Sequence, residues 1–394
     1  MVKRAGVILF GLTALTACAG ILGFERLSEE GGPDGGELPE ASVPDGEAGT
    51  DAGDPSCSSI GVLGPSADAG VADAGGELRV AIKVLDLGID PKSKAPAGLN
   101  LDKTCTTSIA TASCTTSVDQ TTFDRYARDH TGFIDNAGAA LLDDVSQVGE
   151  AFNPVAVNQR LADGEYGIVV TMFDWNGLLE DDLVRVEMFP ALRVKSGADG
   201  GAQPAFTSGD EWIRDAKYEL VPGTGVSSIK SINAYVTQGQ VVAYFDKLTF
   251  PVSVPGDPKP IDIVLQESWV TAKIVPDGPG HRLDEGVATG RWKTSDLLAE
   301  VRQIYILDSG PFLDVYVCDG TGKLFYDAVK DKVCKGRDIR GASREDNTNV
   351  PCDAISTGLR FETYRLDALG PFENRAPIPA RCVDAAVPAG DDCP

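Results

Sequence analysis

The sequence predicts a mainly β body, an antiparallel β-sandwich or lectin-like jelly roll with two or three short helices, following a disordered N-terminal tether. Three observations carry that expectation. From Glu77 onward, apolar residues recur with a period of two in short runs, as half-buried strands require. Gly, Pro and Asp separate most of those runs at turn-like spacing. Ahead of them, Ser28–Gly76 holds eleven acidic residues and no Lys, Arg or aromatic residue. Such a segment cannot bury enough apolar surface to offset the ordering of its backbone.

The first strand is expected over Glu77–Leu85, where Leu78, Val80, Ile82 and Val84 alternate with Arg79, Ala81 and Lys83. Tyr166–Phe173 and Leu183–Phe189 flank a turn containing Asn176-Gly177. Further strands are expected over Ile232–Val236, Gln240–Phe245, Lys247–Val254, Ile261–Gln266, Trp269–Val275, Val287–Trp292 and Thr357–Tyr364. About nine or ten short antiparallel strands suit a sandwich. Helical spacing appears in Asn136–Val148, where Ala137, Leu141, Val145 and Val148 share a stripe. It recurs after Thr294-Ser295, with Leu297, Leu298, Val301, Ile304 and Tyr305 facing inward, and in Phe325–Cys334.

Charge and composition exclude several function classes. The 394 residues carry 35 Lys+Arg against 59 Asp+Glu, a formal charge of −24. Phosphate backbones and anionic lipid surfaces are bound by clustered cations, so nucleic acid is not an expected partner. Two histidines, His130 and His281, are too few for a His-rich metal site or a His-based proton relay. At 42% hydrophobic residues, the chain has material for a core.

Met1-Val2-Lys3-Arg4 is basic, and Ala5–Ala17 is uncharged and mostly apolar. That stretch is shorter than the roughly 20 residues of a spanning helix and fits a secretory h-region. Leu15-Thr16-Ala17-Cys18 then resembles the lipobox of bacterial lipoproteins. The resemblance implies a signal peptide over 1–17 and diacylglycerol on Cys18, with the outer membrane as destination because Ala19, not Asp, follows. The face of that membrane stays open. Residues 18–76 would be the lipid-anchored tether, spanning on the order of 40 Å, and 77–394 the body, its C-terminal part (about 310–394) stapled by disulfides.

Setting Cys18 aside leaves Cys57, Cys105, Cys114, Cys318, Cys334, Cys352, Cys382 and Cys393. An even count in an exported chain reads as disulfides, and the absence of any CxxC pair weighs against zinc. Near neighbours suggest Cys105–Cys114 and Cys382–Cys393.

No HExxH, GxSxG or P-loop occurs; Gly320-Thr321-Gly322-Lys323 lacks the rest of the last pattern. Two acidic loops hold oxygen ligands of the kind calcium takes. In the first, Asp174, Asn176, Glu180, Asp181 and Asp182 join two expected strands, and an exposed Trp175 could stack on a sugar; the plainer reading is a solvated turn. The second holds Asp124, Asp129, Asp135 and Asn136, where Asp135 or Asn136 is better suited to cap the following helix. No cofactor is expected beyond a structural calcium.

Taken together, the lipobox, the DAG and PDG phrases, Asp135-Asn136-Ala137-Gly138, Gly290-Arg291-Trp292 and Cys352-Asp353-Ala354-Ile355-Ser356 resemble secreted lipoproteins of myxobacterial-type soil bacteria. The resemblance covers the architecture of the whole chain and supplies no activity. The leading expectation is a non-enzymatic surface module, lipid-anchored in the membrane, that binds glycan, matrix or an envelope protein. The alternatives are a secreted polysaccharide hydrolase working through two carboxylates, and a structural envelope component.

Overall fold

A computed structural model describes residues 62–66, 75–88, 97–130, 132–146, 153–195, 203–252, 260–306, 315–320, 322–346, 349–377, 382, 387–388 and 390–394. The expected signal segment, Cys18, Cys57 and most of the expected tether lie outside those residues.

Eight long or medium strands form the body: β1 (Gly76–Asp86), β2 (Gly167–Trp175), β3 (Asp181–Val194), β5 (Ile229–Thr237), β6 (Gln240–Val252), β7 (Ile261–Asp277), β8 (Gly280–Lys293) and β11 (Ala354–Arg365). Their spatial order is β3-β2-β1-β11-β8-β7-β6-β5, and β5 pairs back onto β3. Every neighbouring pair in this ring is antiparallel. The sheet is therefore a closed eight-stranded barrel, which corrects the expected sandwich. Alternation reports which side chains face inward but not whether the sheet's edges meet. Here β3 closes the ring. Its start, Asp181–Met188, pairs with β5, while its end, Ala191–Val194, pairs with a short outer strand β4 (Trp212–Asp215). A further short strand, β12 (Phe372–Glu373), lies parallel to β4. A separate ribbon joins β9 (Tyr305–Ile306) to β10 (Val315–Tyr316).

Closure needs curvature, and bulges supply it. The β7–β8 register shifts between Gln266 and Trp269 and between Thr271 and Lys273, with Glu267 and Glu285 at φ +45 and +49. The Glu267-Ser268 interruption is why β7 reads in the sequence as two strands, and Asp246 divides β6 in the same way. At one hairpin, Gln238 and Gly239 (φ +52 and +72) link the paired residues Thr237 and Gln240. Two successive positive φ values match the right-handed twist of the strands they join.

Among the described residues five helices accompany the barrel, two more than the sequence pattern shows: α1 (Gln120–Tyr126), α2 (Ala137–Ser146), α3 (Pro154–Ala162), α4 (Thr294–Val301) and α5 (Lys323–Lys335). They gather at the end where β1 and β8 finish and β11 begins. Asn158 of α3 bonds both the N–H and the C=O of Leu85 at 2.8 Å. At the start of α2, the Ala137 N–H donates to Ser356 Oγ at 2.9 Å.

One continuous core joins the barrel interior to these helices. It includes Leu78, Val80, Ile82 and Leu85 of β1, Phe245 and Phe250 of β6, Trp292 of β8 and Phe361 of β11, together with Leu141, Leu161, Leu298 and Val333 from helices. A second, smaller cluster covers part of the outer wall, with Trp212 of β4 against Val169, Phe189 and Tyr364. The Trp212 Nε1–H donates to Tyr364 Oη at 2.6 Å. Gly167 makes that packing possible, since a Cβ there would sit 2.5 Å from the Trp212 ring.

Disulfides join Cys114 to Cys352, Cys318 to Cys382 and Cys334 to Cys393. Cys105 is also disulfide-bonded. The near-neighbour pairings Cys105–Cys114 and Cys382–Cys393 are thus corrected. Cys352, the partner of Cys114, lies 238 residues away in sequence, because the chain leading into β11 brings Cys352 back beside the arm that carries Cys114. Such cross-links are the chemistry of an extracytoplasmic protein.

Candidate functional site

Two regions concentrate polar chemistry. The first is the loop between β2 and β3, at the barrel end opposite the helices. Asn176 Oδ1 accepts from the Leu178 N–H at 2.8 Å, Asp181 Oδ2 from the Asn176 N–H at 2.8 Å, and Glu180 Oε1 from the Gln238 N–H at 2.9 Å. Asp181 is fully buried, whereas Asp174 and Asp182 are exposed. Three of the five proposed calcium ligands are therefore engaged in stitching the loop and tying it to the β5–β6 turn. Trp175 is 8% exposed. Its Nε1–H donates to Leu178 O at 2.9 Å and its ring meets His281 edge-on, centroids 5.0 Å apart. It is a packing residue and not the exposed sugar platform expected from the sequence. Among the described residues, no three His, Cys, Asp or Glu side chains are grouped to hold a metal.

The second region lies on the outer wall, where the arm 97–136 crosses β8 and β11. Asp135 is 3% exposed, and its Oδ2 accepts from the N–H groups of Leu101 (2.5 Å) and Asp102 (3.3 Å). Asp129 Oδ2 accepts from the Thr106 N–H at 2.6 Å. Asp102, also buried, accepts from the Thr104 N–H at 2.8 Å. From the segment after α5, Asp338 accepts from the Ser356 N–H at 2.8 Å.

Among the described residues, one buried cation, Arg291, serves this neighbourhood. Arg291 of β8 donates through Nη1 and Nη2 to both carboxylate oxygens of Asp346 at 2.9 and 2.6 Å, and to the carbonyls of Arg340 (2.8 Å) and Leu101 (2.7 Å). Burial, then the negative charges of Asp102, Asp129 and Asp338, pushes the Asp135 carboxyl well above the ordinary range. Burial and the charge on Asp102 push Asp129 up to about 7. Burial pushes Asp338 up to about 8, and also raises Asp102. Groups perturbed this strongly are the usual mark of a working site or of a stressed structural one.

Of the second acidic loop read from the sequence, Asp129 and Asp135 come together here while Asp124 stays apart, bonded to Gln120 Nε2 at 2.8 Å. Asn136 is the N-cap of α2: its Oδ1 accepts from the Ala139 N–H at 3.2 Å, and its Nδ2 donates to Ala97 O at 2.7 Å. Sequence reasoning missed Asp102, Arg291, Asp338 and Asp346. Gly290-Arg291-Trp292 offered the one local hint, an Arg between two inward-facing strand positions, which must find a partner if the outer wall is covered.

A cleft of about 140 Å³ lies beside the Cys114–Cys352 bridge, lined by Thr115, Thr116, Ser117 and Arg337. The Arg337 guanidinium donates there to Pro394 O at 3.3 Å. Compared with protein families, curated proteins and solved structures, the chain matches none.

Proposed function

We propose that this chain is a lipid-anchored envelope protein whose barrel serves as a non-enzymatic binding module for a glycan, matrix or envelope partner. The observation that carries the reading is the polarity of the barrel. Its interior is filled by Phe245, Phe250, Trp292 and Phe361, and its wall carries ion pairs such as Lys83–Glu362 and Lys273–Glu285. A barrel that spans a membrane has the reverse arrangement, apolar outside and polar within. A wall that faces water and an interior given over to packing leave loops and outer surfaces for recognition. The disulfide bonds suit a module working outside the cytoplasm, and the Cys18 lipobox supplies the anchor in this reading.

Two measurements test it. Palmitate labelling of the expressed chain is expected to mark wild type and not Cys18→Ala; equal labelling of both removes the anchor from the account. A polysaccharide array probed with the disulfide-bonded body, run beside a reducing-sugar assay, is expected to give binding without sugar release. Release abolished by one Asp or Glu substitution would replace the binding module with a hydrolase.

A further inference from the structure

An antiparallel bridge pairs His130 with Ile134, and the His130 N–H donates to Ile134 O at 3.0 Å. The next residues out, Asp129 and Asp135, therefore stand opposite each other, a placement in which Cβ atoms lie about 4.5–5.5 Å apart. The loop 100–106 holds both side chains. Its Leu101 and Asp102 N–H groups donate to Asp135 Oδ2, and its Thr106 N–H donates to Asp129 Oδ2. Such donors favour the ionised form of a carboxyl. Asp135 is 3% and the neighbouring Asp102 4% exposed, and charge so far from water needs a counter-charge. Arg291, the buried cation of this wall, is already matched to Asp346 and Glu267. Among the described residues, no Lys or Arg forms an ion pair with Asp102, Asp129 or Asp135.

A second observation points to what supplies that charge. Asn100 is 8% and Thr106 3% exposed, and neither Asn100 Oδ1 nor Thr106 Oγ1 has a hydrogen-bond partner among the described residues. Asn100 sits between Leu99, whose C=O accepts from the Asp135 N–H at 3.1 Å, and Leu101, whose N–H reaches the Asp135 carboxylate. Its Nδ2 donates across the loop to Thr104 O at 3.1 Å, which fixes the amide with its oxygen buried beside the carboxylates. Thr106 bears its orphaned hydroxyl on the residue whose N–H binds Asp129. Buried oxygens left this way call for an ion or a water to complete them. We propose that Asp129 and Asp135, with Asn100 Oδ1 and Thr106 Oγ1 of the loop 100–106, form a calcium site on the outer wall of the barrel.

The ligand chemistry selects the metal. Carboxylate, amide and hydroxyl oxygens in an irregular set, with no nitrogen or sulfur, suit calcium and not zinc. Two carboxylates and two neutral oxygens make up the set, and it needs no third acidic side chain. Asp129 is only half-buried, so an ion has a way in from water and waters can complete its shell. A divalent charge between the two carboxylates offsets both, and it counters the burial and the charge on Asp102 that raise their pKa values. Calcium would thus tie the two ends of the arm 97–136 together where it crosses β8 and β11. Farther along, the Cys114–Cys352 bridge fastens the same arm.

Calorimetric titration of the disulfide-bonded protein with calcium, after chelator treatment, tests this, with hydrogen exchange read by mass spectrometry to locate the ion. Wild type is expected to bind calcium with a Kd of roughly 10⁻⁴–10⁻³ M. Millimolar calcium should raise protection in peptides covering 97–106 and 129–136 and leave those of β6 and β7 unchanged. Asp129→Asn, which keeps an acceptor for the Thr106 N–H, should abolish the binding. Thr106→Val, which keeps the shape and removes one ligand, should weaken it by about tenfold or more. Absence of binding in wild type overturns the site without requiring any variant to fold, as does protection gained elsewhere and not in the arm. Unchanged affinity in either variant overturns it too, and so does equal binding of magnesium, which would mark a diffuse response of an acidic surface.

Discussion

Arg291→Met removes the one guanidinium from the acidic region, and its cost can be worked from the contacts it leaves. Arg291 is 1% exposed and Asp346 is nearly as buried. Breaking a buried pair by deleting one partner costs about 3–5 kcal/mol, because the surviving charge has no water and no counter-charge. The carbonyls of Arg340 and Leu101 also lose donors at 2.8 and 2.7 Å, adding roughly 1 kcal/mol. A total of about 4–6 kcal/mol corresponds, at about 2 °C per kcal/mol for a domain of this size, to a melting temperature lower by about 8–12 °C. The assay is thermal unfolding at pH 7 by circular dichroism, with Asp346→Leu added in a second variant. Removing both charges exchanges the pair for apolar contacts and should restore at least half of the loss. A single variant melting within 2 °C of wild type, or a double variant no better than the single, would refute the reasoning.

Other perturbations address separate parts of the fold. Asp338 is raised by burial to about 8, so its contribution is complete below the ordinary carboxylate pKa and disappears as pH climbs toward 8. Melting curves of Asp338→Asn should therefore depend less steeply on pH between 5 and 8 than those of wild type. Replacing Cys114 and Cys352 together by Ser frees a closure spanning 238 residues, expected to cost about 5 kcal/mol on the chain-entropy view, and equilibrium unfolding in guanidinium should show it as a lower midpoint. Gly167→Ala drives a methyl to 2.5 Å from the Trp212 ring and should cost about 1–3 kcal/mol by overpacking, read the same way.

Much of the secondary structure was legible because the barrel interior imposes a strict two-residue alternation. Leu78, Val80 and Ile82 show it in β1, and Leu248, Phe250 and Val252 in β6. Helices α2, α4 and α5 were visible through their apolar stripes. By contrast, α3 buries only Val157 and Leu161, and α1 only Phe123 and Tyr126 in seven residues, too little periodicity to separate from a loop. Closure was not legible. The β3–β5 pairing joins Val186 to Ser231 and Met188 to Ile229, and nothing local in either strand says that its free edge is the other's partner.

The same distinction separates the two candidate regions. The β2–β3 loop was conspicuous in the sequence because its acidic residues are contiguous, yet Asp181 and Asn176 turn out to satisfy their own backbone. The buried carboxyls were inconspicuous because they arrive from positions 102, 129, 135, 338 and 346, and only the fold assembles them. Disulfide pairing obeyed the fold in the same way, Cys114 passing over nearby Cys105 for Cys352.

Nuclear Overhauser contacts between backbone amides of β3 and β5, in deuterated and amide-protonated protein, measure whether the ring of strands is complete. The closed barrel predicts cross-peaks at the paired positions Val184–Ala234, Val186–Ser231 and Met188–Ile229. Their absence, with contacts between β2 and β3 intact, would leave an open sheet with two free edges and contradict the architecture on which the filled interior and the water-facing wall depend.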